Sequence, residues 1–293
     1  MNSYSFKRSF SEEPRLIDRL LDLAEIALFP GITEVAERSR ELGASWEDAS
    51  TPFIYFQDDL AITHVGVLEI PIILMGKPAI AGGIHGVCTH PDFRRRGYYR
   101  KVMEEVLDYC ANRYETLVLT TDRPEYYYSF GFHVVQESAC AISRISPGGS
   151  EGFRLLDFDR AEDKQILHRL LAERQPISNI VGIRGGEKAI FCFNEGSNPL
   201  YYAPDLDLMV SMEIDKTTLK LFDLVGTKGY NLDEILERIP QAIEEVKVYF
   251  ACDRLAPEAP SFPNVLDGNS LLMVRGPFPA EGHPFTMPRS TRC

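Results

Sequence analysis

Apolar positions in the first 135 residues switch between two spacings, which predicts a mixture of helices and strands. Residues 14–29 and 100–113 carry apolar side chains at helical intervals, and residues 33–42 add a second helix after a Thr33 cap. The segments TPFIYFQ, AITHVGVLEIPIIL and AIAGGIHGVCT predict strands, with MGKP at 75–78 as the hairpin turn between the last two. Residues 4–10 predict a short first strand.

The second half repeats this order of elements. TLVLTT and FHVVQESACAISRI complete the first half as β-segments, and SPGGSEG at 146–152 predicts a linker. Beyond it, DRAEDKQILHRLLAERQ and NLDEILERIPQAIEEV have helical spacing, whereas AIFCFNEG, LDLMVSMEI, TLKLFDLVG, KVYFACD and LLMVRG predict strands. Each half therefore reads helix, three strands, helix, strand. With 293 residues, we predict two α/β domains, 1–147 and 151–293, each an α+β unit with a mixed central sheet flanked by helices.

Composition and charge narrow the class of protein. The chain is 44% hydrophobic with a formal net charge of -12, which argues against a general nucleic-acid binder and weakly favours a cationic small substrate. The most apolar span, 65–87, is interrupted by charged residues and prolines, so no membrane helix is expected. The start of the sequence has no apolar segment typical of a secretion signal, and a cytoplasmic location is predicted.

The six cysteines are widely spaced, without a CxxC pair or a nearby histidine cluster. This spacing argues against a structural metal. Several cysteines lie in apolar strand-like runs, so all six are predicted to be reduced core residues in a reducing compartment.

The segment THPDFRRRGYYRKV, residues 89–102, concentrates basic charge at one point of an acidic chain; we call it the arginine segment. It lies between a predicted strand and a predicted helix, and the second half has no counterpart. A loop that enters a helix presents unpaired N–H groups that favour an anion, and Gly97 permits close approach of the ligand. A pyrophosphate site and a solvated basic loop both fit this composition.

The flanking residues resemble a known motif. GVCTHPDFRRRGYYRKVM is similar to motif A of the GNAT superfamily of N-acetyltransferases, with Val87, Pro91, Arg94 and Gly97 at the motif positions. Tyr99 stands where the family has glycine or alanine. YYYSFGF at 126–132, the tyrosine element, resembles the F-Y-x-x-x-G-F element of the family. The RRRG variant resembles the multidomain branch typified by the mycobacterial "enhanced intracellular survival" acetyltransferases, without its third domain.

The resemblance implies two acetyltransferase-like domains, the second degenerate, with acetyl-CoA as co-substrate and no metal. Main-chain amides of Val87, Cys88 and Thr89 would polarise the thioester carbonyl. Tyr127 would donate a proton to the leaving thiolate. In the multidomain branch the C-terminal carboxylate can serve as base, which here is Cys293. The residues implied to hold the CoA pyrophosphate are Arg94, Arg95, Arg96, Gly97, Tyr98, Tyr99 and Arg100.

Other interpretations stay open at this point. Tyr127 also fits a packed aromatic cluster. His85 fits a base or a structural strand histidine, and the latter is favoured. Cys88 fits a nucleophile or a buried thiol, and the latter is favoured because direct transfer needs no nucleophile. Glu69 fits a base or amine anchor in the acceptor cleft, or a residue facing solvent. The final segment GHPFTMPRSTRC fits a surface tail or a plug that reaches the active site.

The function predicted is transfer of an acetyl group to a primary amine of a small molecule or peptide, without nucleic-acid or membrane partners. A non-catalytic acyl-CoA-binding or regulatory protein is the alternative, and a purely structural interaction module is a third. Homo-oligomerisation is left open.

Overall fold

Two mixed β-sheets flanked by helices make up the protein, as the sequence predicts. The structure is a computed structural model that describes residues 6–185, 188–266 and 268–293. The α-helices within these described ranges are α1 (Leu16–Ala27), α2 (Ile32–Glu41), α3 (Tyr98–Cys110), α4 (Ala161–Glu173), α5 (Lys188–Glu195) and α6 (Leu232–Leu236).

The first sheet has the order β1-β2-β3-β4-β14-β5, and β8 pairs with the far end of β2. Its strands are β1 (Thr51–Gln57), β2 (Leu60–Leu74), β3 (Lys77–Thr89), β4 (Leu117–Thr121), β5 (His133–Val134), β8 (Val181–Ile183) and β14 (Leu271–Arg275). The strands β1, β2 and β3 form an antiparallel meander, and β3 and β4 are parallel because α3 connects them. The predicted hairpin turn is confirmed, since Met75 and Gly76 both have positive φ between β2 and β3.

The second sheet has the order β13-β6-β12-β11-β10-β9-β7. Its strands are β6 (Glu137–Ser146), β7 (Arg154–Leu155), β9 (Leu200–Ala203), β10 (Leu208–Asp215), β11 (Thr218–Gly226), β12 (Ile243–Val248) and β13 (Ser261–Asn264). As in the first sheet, three antiparallel strands lead through a helix to a parallel fourth strand. The order of elements that the two halves of the sequence share therefore corresponds to a similar strand topology in the two sheets.

The two sheets exchange one strand each. In the first sheet the strand beside β4 is β14, from the far end of the chain. In the second sheet the strand beside β12 is β6, from the first half. The sheet boundary therefore does not follow the predicted division into residues 1–147 and 151–293. A strand pattern identifies a strand but not its partner, so the exchange could not be predicted from the pattern of residues.

Several predicted elements differ from the structure. The predicted β-segment FHVVQESACAISRI is divided into β5 in the first sheet and β6 in the second. AIFCFNEG falls within and just after helix α5 rather than a strand, because a short apolar run does not distinguish the two. The helix predicted from Asn231 onward is only Leu232–Leu236, closed by the expected Asn231 cap, and its remainder contains β12. Of the first predicted strand, residues 4 and 5 lie outside the described residues, and Lys7 makes one bridge with Phe53.

The prediction that all six cysteines are reduced is wrong for one pair. Cys140 on β6 and Cys252, shortly after β12, form a disulfide. They lie 112 residues apart in sequence, and only the placement of β6 beside β12 brings them together. Cys88, Cys110 and Cys192 are buried thiols as expected.

The final residues run between the two sheets instead of over the surface. From Phe285 to Arg292 every residue except Arg289 is buried. Arg292 donates from both terminal nitrogens to the Glu137 carboxylate at 2.9 Å, and the main-chain N–H of Met287 donates to the same carboxylate. Arg289 pairs with the buried Glu195 at 2.7 and 2.8 Å. This segment, residues 285–293, is called the tail below.

Loss of Glu137 should destabilise the protein strongly, because it leaves Arg292 buried without its counter-ion. For Glu137→Ala we expect a loss of about 3–5 kcal/mol in the free energy of unfolding, measured by urea denaturation. Asp233→Ala removes the exposed pair with Arg144 and should cost below about 1 kcal/mol. The double variant E137M/R292M should lose less than the sum of its single changes. Equal effects of E137A and D233A would contradict the proposed anchoring of the tail.

Candidate functional site

The arginine segment forms the connection from β3 to α3, as predicted. A short 3-10 turn at Pro91–Phe93 leads to Arg95 and Gly97, which both have positive φ, and α3 begins directly after Gly97. No atom lies within 4 Å of a Cβ built on Gly97, so the backbone conformation, and not crowding, accounts for glycine here. The first-turn N–H groups of α3 have no acceptor within the helix and can bind an external anion.

Two arginines of the segment also shape it. Arg94 Nε donates to the main-chain oxygen of Thr89 at 3.1 Å. Arg96 donates to the main-chain oxygen of Asp92 at 2.8 Å, and its guanidinium lies over the Phe93 ring. All three consecutive arginines are exposed. The arrangement combines a helix N-terminus with positive side chains, which is suited to binding a phosphate group.

The strand before this segment contains a β-bulge. Gly66 on β2 pairs with His85, and His64 pairs with Cys88, so Gly86 and Val87 together face one residue of β2. Gly86 has a φ of 58°. Because the N–H of His90 bonds back to β2 and N–H directions alternate along a strand, the N–H groups of Val87 and Thr89 point away from β2, whereas that of Cys88 points toward it.

Beside the bulge, β3 and β4 separate. Their parallel pairing is confined to Gly82 with Leu117 and Gly83 with Val118. Farther along, the tail takes the place of β3: the N–H and the hydroxyl of Thr120 both donate to the main-chain oxygen of Cys293, at 2.5 and 2.7 Å. The predicted site residue Cys293 therefore lies in the opening between the two central strands.

The tyrosine element packs against the start of α3. Tyr126 and Tyr128 are 58% and 54% exposed, whereas Tyr127 is only 7% exposed and points inward. Tyr127 shares a hydrogen bond with the Thr121 side chain at the end of β4, and its ring contacts Tyr99 and Phe132 edge-on. Burial raises the pKa of the Tyr127 phenol well above its ordinary value. This phenol therefore keeps its proton at neutral pH.

Cys88 and Cys293 both lie within electrostatic reach of Tyr127. Negative charge on either thiol would raise the pKa of Tyr127 further. Burial raises the pKa of both the Cys88 and the Cys293 thiol to about 12, so neither is a thiolate at neutral pH. This agrees with the interpretation of Cys88 as a buried thiol.

Two histidines lie on the tail side of the bulge, and the sequence alone did not single out His64. His64 Nδ1 lies 2.7 Å from the main-chain oxygen of Gly86, and His85 Nε2 lies 2.8 Å from Ser50 Oγ. Burial lowers the pKa of His64 to about 4 and that of His85 well below its ordinary value. Both imidazoles are therefore uncharged at neutral pH. Alternating apolar residues around His64 would have been the only sequence signal of its burial.

The remaining candidate, Glu69, lies outside this group. Its exposed carboxylate accepts a hydrogen bond from the Tyr114 hydroxyl at 3.1 Å. Within residues 6–185, 188–266 and 268–293, no group of three or more histidine, cysteine or acidic side chains is arranged to hold a metal. None of the helices in these same ranges has both the length and the apolar character needed to cross a bilayer.

Comparison with known proteins identifies the class of this domain. The family model of the GNAT acetyltransferase domain matches residues 6–135. Those residues therefore form a GNAT acetyltransferase domain, which confirms the resemblance of the arginine segment and the tyrosine element. No curated protein sequence matches the chain.

Solved structures of similar fold cover most of the chain. One is a conserved protein of Enterococcus faecalis V583 called "Probable N-Acyltransferase" (15% identity, TM-score 0.59, 92% of this chain and 71% of that one). Two others are GCN5-related N-acetyltransferases. The Kribbella flavida protein has 16% identity, a TM-score of 0.54, and 88% and 68% coverage. The Anabaena variabilis protein has 15% identity and a TM-score of 0.55, and the match covers 90% of this chain and 71% of that one. At these identities the likeness shows a shared fold.

The buried histidines should make stability depend on pH. Because the pKa of His64 falls from 6.5 in the unfolded chain to about 4 in the fold, the unfolded chain binds more protons between these values. The stabilisation is complete above pH 6.5 and declines as the pH falls. His64 alone should account for a loss of about 3 kcal/mol between pH 7 and pH 4.

The comparison uses His64→Asn, whose amide can still donate to the Gly86 oxygen but does not titrate. Urea unfolding at a series of pH values should give H64N a flatter profile than the unmodified protein. His283→Asn changes an exposed histidine and should leave the profile unaltered. The same slope in H64N and in the unmodified protein would show that His64 is not held uncharged.

Proposed function

We propose that the protein transfers an acetyl group from acetyl-CoA directly to the nitrogen of a primary amine. The observation that carries the proposal is a convergence at the opening between β3 and β4. The bulge at Gly86, the Tyr127 phenol and Cys293 all border this opening, and the arginine segment lies at the end of the same strand β3. The GNAT match to residues 6–135 supports acyl transfer in general.

Acetyl-CoA would lie with its pyrophosphate on the arginine segment. The first-turn N–H groups of α3 would donate hydrogen bonds to the phosphate oxygens, and Arg94, Arg95 and Arg96 would add positive charge. The arm of the molecule would then follow the opening between the two strands, where its thioester oxygen meets the N–H groups of Val87 and Thr89. Cys88 would support this geometry through its strand pairing with His64.

In the transfer, the amine nitrogen attacks the thioester carbonyl carbon and a C–N bond forms. The carbonyl oxygen gains negative charge, which N–H donors at the bulge stabilise. The C–S bond then breaks, and Tyr127 gives its proton to the leaving sulfur. The nitrogen loses one proton to a base, for which we propose the carboxylate of Cys293. That proton returns to Tyr127 through solvent, so the products are the acetamide and free CoA.

Binding of acetyl-CoA should depend on the arginine segment. Isothermal titration calorimetry should detect binding that the double change R94A/R96A weakens by at least about tenfold, because charge-assisted contacts to phosphate are lost. The control R144A/R160A removes the same charge from exposed positions outside the arginine segment, on β6 and directly before α4, and should leave the affinity unchanged. Absence of binding by the unmodified protein would refute the proposed function.

The phenol of Tyr127 should be required for turnover but not for binding. Tyr127→Phe removes one hydroxyl and should lower kcat by about 10²–10⁴-fold, the range for general acid catalysis. Its Kd for acetyl-CoA should stay unchanged. Tyr126→Phe alters the exposed neighbour and should keep full activity. Undiminished turnover in Y127F would exclude the proton-donor role, and binding without turnover in every protein would favour the acyl-CoA-binding alternative.

A further inference from the structure

A cavity of about 240 Å³ adjoins the opening between β3 and β4 on the side of the tail. Gly86 of the bulge and Cys293 of the tail are among its lining residues. Ten of its lining residues are apolar: Ile17, Leu20, Leu21, Ala24, Leu28, Phe29, Ile32, Ala36, Trp46 and Phe193. The cavity therefore connects the proposed reaction point with a largely apolar space under α1 and α2.

The cavity has a mouth of its own at the turn between α1 and α2. Leu28 and Phe29 line it and are also 38% and 45% exposed. The Glu25 carboxylate fixes this turn by accepting the N–H groups of Gly31 and Thr33 at 2.9 and 2.7 Å. Among the described residues that line the cavity, none comes from the arginine segment or the tyrosine element. A separate entrance suits the acceptor substrate, which binds independently of CoA. An acyl chain, in contrast, would enter together with CoA from the side of the arginine segment.

The polar groups of the cavity do not favour a polycation. His64 and His85 line it as uncharged imidazoles, and Asn194 and Arg292 complete the polar part. The Arg292 guanidinium is already paired with Glu137. No aspartate or glutamate is among the described lining residues. Among the described lining residues the one negative group is the proposed base, the carboxylate of Cys293, so a ligand with several ammonium groups would lose its hydration here without a counter-charge for each of them.

We propose that this cavity binds the acceptor substrate, and that the acceptor is a primary amine carried on an apolar body, of the arylalkylamine type. The inference rests on the proposed acetyl transfer and specifies its substrate class. The apolar body lies against α1, α2, Trp46 and Phe193, and the nitrogen lies at the polar end beside Gly86 and Cys293. Burial among apolar groups disfavours the charged ammonium form, and the proposed base, the Cys293 carboxylate, takes the proton that the nitrogen releases.

Trp46 provides a direct test, because it is the single tryptophan of the sequence and it lines the cavity. We would titrate the protein with 2-phenylethylamine and with spermidine, without CoA, and record the Trp46 fluorescence. The expected result is a saturable change with 2-phenylethylamine and none with spermidine at equal concentration. With acetyl-CoA present, kcat/KM should be at least tenfold higher for 2-phenylethylamine.

Two variants locate the binding. Ala36→Leu fills the cavity and should weaken the 2-phenylethylamine response at least tenfold, whereas Glu37→Leu, the exposed next residue on the same helix, should not. Phe29→Glu places a charge at the half-exposed mouth and should raise KM for 2-phenylethylamine while leaving the Kd for acetyl-CoA unchanged. This second variant keeps the test valid if the A36L protein does not fold.

The outcomes separate this inference from the proposed function. Acetylation of spermidine with no Trp46 response to 2-phenylethylamine would overturn the inference and leave acetyl transfer standing. A Trp46 response only to long-chain acyl-CoA would also overturn it, since the cavity would then hold the acyl chain. Saturable binding of 2-phenylethylamine that A36L weakens would support the apolar amine site even if acetyl-CoA failed to bind.

Discussion

The reciprocal exchange of β6 and β14 is the constraint on which the rest of the structure depends. Each strand completes the sheet formed by the other half, next to the parallel strand that follows the α3 or α6 connection. Because β14 is bound within the first sheet, the chain that follows it must start there and can reach the central opening. The end of the tail is then held in place by the buried ion pair between Arg292 and Glu137, a residue of the exchanged strand β6. Because each sheet includes a strand from the other half, the boundary between the halves is not a boundary between the sheets.

The exchange also gives one backbone N–H group at the central opening a hydrogen-bond partner. On one edge β4 is bonded to β14, and on the other β3 turns away after Gly83. Unpaired strand edges in a buried position cost free energy, so an opening of this kind needs a partner. Cys293 supplies it by accepting from Thr120. The same contact that satisfies β4 thus places the end of the tail beside Tyr127.

The sequence predicted local features well and distant ones poorly, for a physical reason. The arginine segment, the tyrosine element and the 75–78 turn depend on residues close in sequence, and the structure has each of them in the expected local form. The exchanged strands, the disulfide between Cys140 and Cys252 and the burial of the tail depend on pairing between residues more than 100 positions apart. Period and composition carry no information about such pairing.

The net negative charge of the chain likewise did not predict the charge of the cavity. A net charge of -12 suggested a cleft suited to cations, but no aspartate or glutamate side chain is among the described residues that line the cavity. Three buried carboxylates, Glu137, Glu195 and Asp223, bind side chains of the tail. Acidic residues in this protein therefore help to hold the tail against the opening, while α1 and α2 cover the cavity with apolar faces. Overall charge describes the surface that a partner meets from a distance, whereas the specificity of a site follows from the side chains that line it.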